Sequence, residues 1–237
     1  MVLKEYFNFE KNINNKLFSV SSFEKGPDSS NDIIPDDAFD SFYLLFNVGS
    51  ILPVQIDGQS FFCPAKDCLL GYSKKPELTF NTNSYYKFIL VKATEEFSSQ
   101  ILSKIRDAAD YPFSEIFNAS SGFCFSFSLN ISVIEMIENI FKVCGENENR
   151  HSSFFYLELE ANFITMIASI FKIILFEEHK FNAVTASPDL KFYMVMRKII
   201  IDGQCLDELL GKYQLSKDIF IRCYRRCFPK NNEIVKE

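Results

Sequence analysis

Tryptophan is absent and histidine nearly so: the 237 residues hold only His151 and His179. The N-terminal half therefore lacks the usual base for metal-assisted hydrolysis or for a Ser–His or Cys–His pair. Glycine is scarce, eight in all, and no glycine-rich phosphate loop appears. Seven cysteines stand at 63, 68, 124, 144, 205, 223 and 227. None forms a CxxC pair, and no second pair or histidine completes a zinc tetrahedron. An odd number at irregular spacing argues for reduced thiols that serve as small buried hydrophobes. Carboxylate neighbours such as Asp36–Asp37 and Glu95–Glu96 suit a solvated surface. These gaps predict a protein that is not an enzyme and that takes no metal or cofactor.

An export leader is the next thing missing. Met1–Glu10 alternates charged and aromatic residues without a continuous apolar core. The most apolar run, Phe163–Phe176, is fourteen residues long with Lys172 inside it. A membrane span needs about 20, so the run reads as a buried helix. Both features predict a cytoplasmic protein with no membrane segment.

What is present in excess is phenylalanine, 27 copies. Apolar residues make up 47% and charged residues 24%, an ordinary globular balance. The length suffices for one large domain or two small ones. Phenylalanine on this scale either fills cores or lines a cavity for an apolar or fatty ligand.

The texture changes along the chain. Residues 25–37, "KGPDSSNDIIPDD", read as a loop. From Phe42 come short β-prone runs at 42–48, 54–62, 68–72, 78–82 and 85–93. Asp57-Gly58 inside the second is a hairpin signal. Such runs, separated by Gly, Pro, Asn and Asp, predict a small antiparallel sandwich or barrel. After Thr94 the period becomes helical. Residues 95–109 carry Phe97, Ile101, Leu102 and Ile105 at helical intervals. Residues 128–145 carry Ile131, Ile134, Ile137, Ile140 and Phe141 on one stripe, with Gly145 as a stop. Residues 154–180 read as one long helix, apolar nearly all round in its second half. Such surface is buried either within the chain or in a second copy. The expected fold is therefore α+β: a β sandwich or barrel, then helices, then a small C-terminal helical unit.

Charge sets that last unit apart. From Pro188 to Glu237 there are ten Lys/Arg against seven Asp/Glu, net +3, whereas the whole chain is −6. An acidic body with a basic terminal module is the charge pattern of a nucleic-acid binder. Residues 192–201 form an amphipathic helix ended by Asp202-Gly203. Residues 205–213 form a short helix with Leu206, Leu209, Leu210 and Tyr213 inward. Ser216 then caps a third helix at 217–228. At 100° per residue, Ile219, Phe220, Cys223, Tyr224 and Cys227 fall on its inner side. Asp218, Ile221, Arg222 and Arg225 fall opposite, with Lys217 at the leading end. Arg226, nearer the inner boundary, suits a phosphate or an acidic neighbour. A short helix, a capped turn and a helix with a basic outer face make a helix-turn-helix.

The stretch "LDELLGKYQLSKDIFIRCYRR", residues 206–226, resembles the first helix-turn-helix of AraC/XylS-type transcription regulators. The matching positions are Leu206, Leu209, the Leu215-Ser216 turn, Phe220, Arg222 and Tyr224-Arg225. Within that family the chain is most similar to the virulence and type III secretion activators of enteric bacteria. The resemblance implies a cupin-like sensor half over residues 1–185, with Pro64-Ala65 and Asp67 near its small-residue step. It implies a DNA-binding half over residues 186–237. It places the segments 128–145 and 154–180 as dimerisation and linker helices. The partners it implies are double-stranded DNA and a second copy. The sequence departs from the pattern at Leu210, where the family has a small residue, and at Gln214, where it has glycine. The family also carries a second helix-turn-helix, and residues 229–237 do not supply one, so a truncated regulator is expected. An alternative follows: a regulator with little DNA affinity that acts by pairing with a full-length relative.

Overall fold

The computed structural model describes residues 13–25, 41–56, 59–73, 77–78, 85–108, 114, 123–128, 130–146, 153–176 and 188–229. Among them run nine strands: β1 Ile13–Asn14, β2 Phe18–Lys25, β3 Ser41–Asn47, β4 Leu52–Ile56, β5 Gln59–Cys63, β6 Asp67–Ser73, β7 Glu77–Leu78, β8 Tyr86–Ala93 and β9 Phe123–Ser128. Six helices accompany them: α1 Glu95–Ala108, α2 Ile131–Glu146, α3 Ser153–Phe176, α4 Pro188–Asp202, α5 Leu206–Lys212 and α6 Lys217–Cys227.

The strands form two antiparallel sheets. The larger runs β1-β2-β8-β3-β6-β9 and the smaller β5-β4-β7. They face each other as an open sandwich, so the closed-barrel alternative is corrected. The hairpin expected at Asp57-Gly58 is β4–β5, with Ile56 opposite Gln59. The runs at 42–48, 68–72 and 85–93 are β3, β6 and β8. The run at 78–82 contributes only Leu78 to β7, and the remainder lies outside the described residues. Of the loop read at 25–37, Lys25 ends β2; residues 26–37 and both histidines lie outside the described residues.

Every residue of β3 is buried. The reason is the strand's central place with layers on both faces. Phe42, Leu44 and Phe46 join the core under the helices, whereas Tyr43 and Leu45 join the core between the sheets. The order is thus small sheet, large sheet, helices. Against the large sheet, Phe163 of α3 stacks on Phe18 of β2 at 5.4 Å and meets Phe97 of α1 at 5.2 Å. Phe171 packs on Phe125 of β9. The abundant phenylalanine fills this seam. A void lined by Leu44, Phe46, Ile137, Phe163 and Met166 encloses about 10 Å³, at the lower limit for one water.

Two helical expectations are corrected. On α2 the buried stripe is Val133, Ile137, Ile140, Phe141 and Cys144, while Ile131 is 71% exposed and Ile134 half-buried. A seam starting at Val133 follows the 3.6-residue period over the helix, whereas one starting at Ile131 drifts off it. Gly145 does not stop α2, which runs to Glu146. The third helix is 24 residues long, so its apolar stretch exceeds the fourteen-residue run. Phe154–Ile173 is long and apolar enough to cross a membrane, with a third of it buried. The phenylalanine contacts above hold it against the large sheet.

The core under the helices continues without a break into α4, α5 and α6. Six cysteines are buried thiols and Cys205 is an exposed one.

Candidate nucleic-acid interface

The C-terminal helices are specified locally. Pro188 opens α4, a position where its missing N–H is no loss. Gly203, at φ +63°, ends it. α5 places Asp207 and Glu208 in its first turn and Lys212 in its last, each favourable to the helix dipole. The α5–α6 connection is a Schellman motif: Leu215 N–H donates to Leu210 C=O at 3.0 Å and Gln214 N–H to Gly211 C=O at 3.2 Å. Its residue in the left-handed region is Gln214, φ +50°. Leu210 and Leu215, both buried, supply the apolar contact that goes with it. The Ser216 hydroxyl then accepts from the Ile219 N–H at 3.3 Å and caps α6.

Gln214 stands where glycine is free of the left-handed penalty. Gln214→Gly is expected to stabilise the unit by about 0.5 kcal/mol, the relief of strain exceeding the entropy lost. A small rise in the thermal midpoint would show it; a fall would mean the turn is not strained.

The inner face of α6 is fastened to α4. Phe220 lies 5.2 Å from Phe192, whose side chain is fully buried. Cys223 and Cys227 are buried beside it, and Tyr224 is half-buried between Phe220 and Phe228. Cys223 Sγ donates to Asp189 Oδ1 at 3.7 Å. Burial pushes that thiol up to about 11, so it stays a protonated donor at neutral pH. Arg226 pairs with the same buried carboxylate. Lys191 Nζ donates to Gln214 C=O at 3.4 Å, and burial lowers its pKa. The first turn of α4 thus engages α6 and the turn before it.

The outer face is different in kind. Lys217, Asp218, Arg222 and Arg225 are exposed and Ile221 is half-buried. Among the described residues, no ion pair holds Lys217, Arg222 or Arg225. Lys217 sits in the first turn, where a cation opposes the helix dipole, so its place there is not accounted for by helix stability. Together these groups form a cationic ridge on a helix whose back is fixed.

Solved structures of AraC-like activators are similar to this chain. No family model and no curated protein matches it. ToxT from Vibrio cholerae is similar at 9% identity and a TM-score of 0.37, covering 90% of this chain and 76% of that one. Unsaturated fatty acid bound ToxT from strain SCE256 gives 9% and 0.37 over 92% and 76%. The AraC-like transcriptional activator CuxR gives 6% and 0.33 over 92% and 73%. At such values the function has to be read from the residues themselves.

Of the residues singled out in the sequence, Leu209 and Phe220 are buried, and Ser216 caps α6 as expected. Leu206 is half-buried and packs against the core, as expected. Arg226 takes the acidic-neighbour alternative. Sequence reasoning missed Asp189. Its signal was an acid just after Pro188, which reads equally as an ordinary first-turn residue. Among the described residues, no group of three or more His, Cys, Asp or Glu is placed to hold a metal ion.

Proposed function

We propose that this chain is a cytoplasmic transcription regulator that binds double-stranded DNA by laying α6 in the major groove. One observation carries the reading. The turn, the Ser216 cap and the Phe192–Phe220 contact fix the inner side of α6, and that leaves Lys217, Arg222 and Arg225 facing solvent without ion-pair partners among the described residues. A helix fixed in this way presents its N-terminal residues to base edges and its flanks to phosphate. Arg222 and Arg225 are one turn apart on that ridge. Each is suited to bidentate contact with guanine or to a phosphate oxygen. Arg226, held by Asp189, orients the helix and leaves the groove to the others. Asp218 and Ile221 on the same face are placed for cytosine amino groups and thymine methyls. A dimer would set two such helices in successive major grooves.

Binding is tested by gel shift on duplex DNA from upstream of the chain's own gene. Arg222→Ala with Arg225→Ala is expected to weaken binding on the order of 100-fold, from two contacts of about 1–3 kcal/mol each. Both side chains are exposed, so the fold should be unaffected. Unchanged affinity would remove α6 as the reading helix.

The second reading, a regulator that acts by pairing with a full-length relative, draws on the exposed apolar residues at the start of α3, Phe154 and Leu157. Capture of that relative by native protein that gives no shift on DNA would favour it.

A further inference from the structure

A cleft of about 270 Å³ opens outside the sandwich, where the β1–β2 turn, α1 and α3 meet. Each wall is set by local structure. The Asn15 side chain accepts from the Leu17 and Phe18 N–H groups at 2.8 and 3.0 Å, which fixes the turn. Thr94 ties that turn to the start of α1. Its hydroxyl donates to Lys16 C=O at 3.2 Å and its N–H to Leu17 C=O at 2.8 Å. Glu96 and Gln100 then line the cleft one turn apart on α1, as Tyr156 and Glu160 do on α3. Lys104, a further turn along α1, pairs with Glu160 at 2.7 Å and joins the two helices. The apolar part of the lining is buried Leu17 and Phe97 with Leu157, which is 61% exposed.

We propose that this cleft binds a free α-amino acid with an apolar side chain. Its charges carry the inference. Lys16 and Glu96 line the same cleft with opposite signs, yet among the described residues neither has an ion-pair partner. Lys16 Nζ stands 3.9 Å from the centre of the Tyr156 ring instead, a cation–π contact that keeps it from the carboxylates. Glu160 accepts from Lys104 through Oε1, with Oε2 not used in that bond. An ammonium and carboxylates held apart around one cleft are complementary to a molecule that carries both signs. The ligand's ammonium would take Glu96, Glu160 and the Gln100 amide oxygen, and its carboxylate would take Lys16. A simple cation would leave Lys16 unmet, and a simple anion would meet Glu96 and Glu160 with like charge. The ligand's apolar side chain would cover Leu157 and Leu17. Size agrees: pockets for drug-sized ligands run to about 300–1,000 Å³, and this smaller cleft suits a single amino acid.

The native chain is titrated calorimetrically, without DNA, with L-leucine, L-methionine and L-phenylalanine. At least one is expected to bind with a Kd below about 1 mM. The matching amine and the matching deaminated acid (3-methylbutylamine and 4-methylpentanoate in the case of leucine) should each bind at least about tenfold more weakly, having lost one charged contact. Lys16→Met, which keeps a stem against Tyr156, and Glu96→Gln should each weaken the amino acid about tenfold. Both positions are exposed, so circular dichroism should be unchanged. Glu95→Gln, exposed beside Glu96 but outside the lining, should leave binding as it is. Absence of a Kd below about 1 mM for all three amino acids overturns the proposal. So does an amine or acid analogue that binds as tightly as its parent, or binding that Lys16→Met and Glu96→Gln leave unchanged. Because the heat is read without DNA, this failure is separate from failure of the DNA-binding reading.

Discussion

Gly71→Ala is expected to destabilise the protein by about 3 kcal/mol, the upper part of the range for overpacking a core. Gly71 of β6 lies directly opposite Tyr43 of β3 in the antiparallel ladder. The tyrosine ring lies across the glycine. A Cβ on residue 71 would fall 2.1 Å from the Tyr43 ring carbon and hydroxyl oxygen. The far end of a side chain can often swing aside, but this ring is 1% exposed. It is enclosed between the sheets with Leu45, Leu52, Val54 and Leu69, so moving it displaces the small sheet. For a chain of this size 3 kcal/mol lowers the thermal midpoint by roughly 6–12 °C. The cause can be checked by a double-mutant cycle. In a Tyr43→Leu background, which removes the clashing atoms, Gly71→Ala should cost much less, with a coupling of about 1 kcal/mol or more. Additive costs would show that the glycine serves backbone conformation and not the ring.

Phe220→Ala should detach α6 and abolish DNA binding while leaving the sandwich intact. Phe220 is 6% exposed and packs on Phe192. Truncating a buried phenylalanine removes about 3–5 kcal/mol. The other fastenings of α6 are the buried Cys223 and Cys227, the Asp189 contacts, the Ser216 cap and the Leu215 anchor, with α4 its main packing partner. The loss should therefore appear as local opening. Hydrogen exchange should accelerate across residues 205–228 and stay slow in β3 and β8. Phe220→Leu should recover most of the binding. The contrast with the paired arginine variant is the useful part. One loses DNA by loosening the helix, the other by stripping its outer face, and only the first changes exchange rates. Global unfolding by Phe220→Ala would mean that α6 opens only together with the rest of the core it shares.

The sequence was informative wherever structure is set by neighbours along the chain. β3, β6 and β8 show as short, dense runs of leucine, aromatic and, in β8, β-branched residues, and the β4–β5 hairpin shows through Asp57-Gly58. The C-terminal unit was readable almost residue by residue, because caps, a glycine stop and a 3.6-residue period are local signals. β2 and β9 were not read. β2 pairs with β8 some seventy residues later, and it carries Ser19, Ser21, Ser22 and Glu24, which look like loop composition. β9 is a strand because β6 is there to pair with it; "FCFSFS" alternates, yet it is short and stands just before a helix. The α2 stripe was displaced because isoleucines at both Ile131 and Ile134 fit a helical period locally. Which of two apolar stripes faces inward depends on where the sheet lies. Asp189 escaped for the same reason. Its role exists only once α6 folds back on α4.

The central claim is that the outer face of α6 meets a phosphate-lined groove, and the salt dependence of binding tests it most directly. Affinity for the same duplex should be measured over a series of salt concentrations for the native chain and for Arg222→Ala with Arg225→Ala. Each phosphate neutralised adds about 0.9 to the slope of log affinity against log salt. The paired variant should therefore show a slope shallower by up to about two. Equal slopes for the two proteins would contradict the account, because the ridge would then carry none of the contact with the DNA backbone.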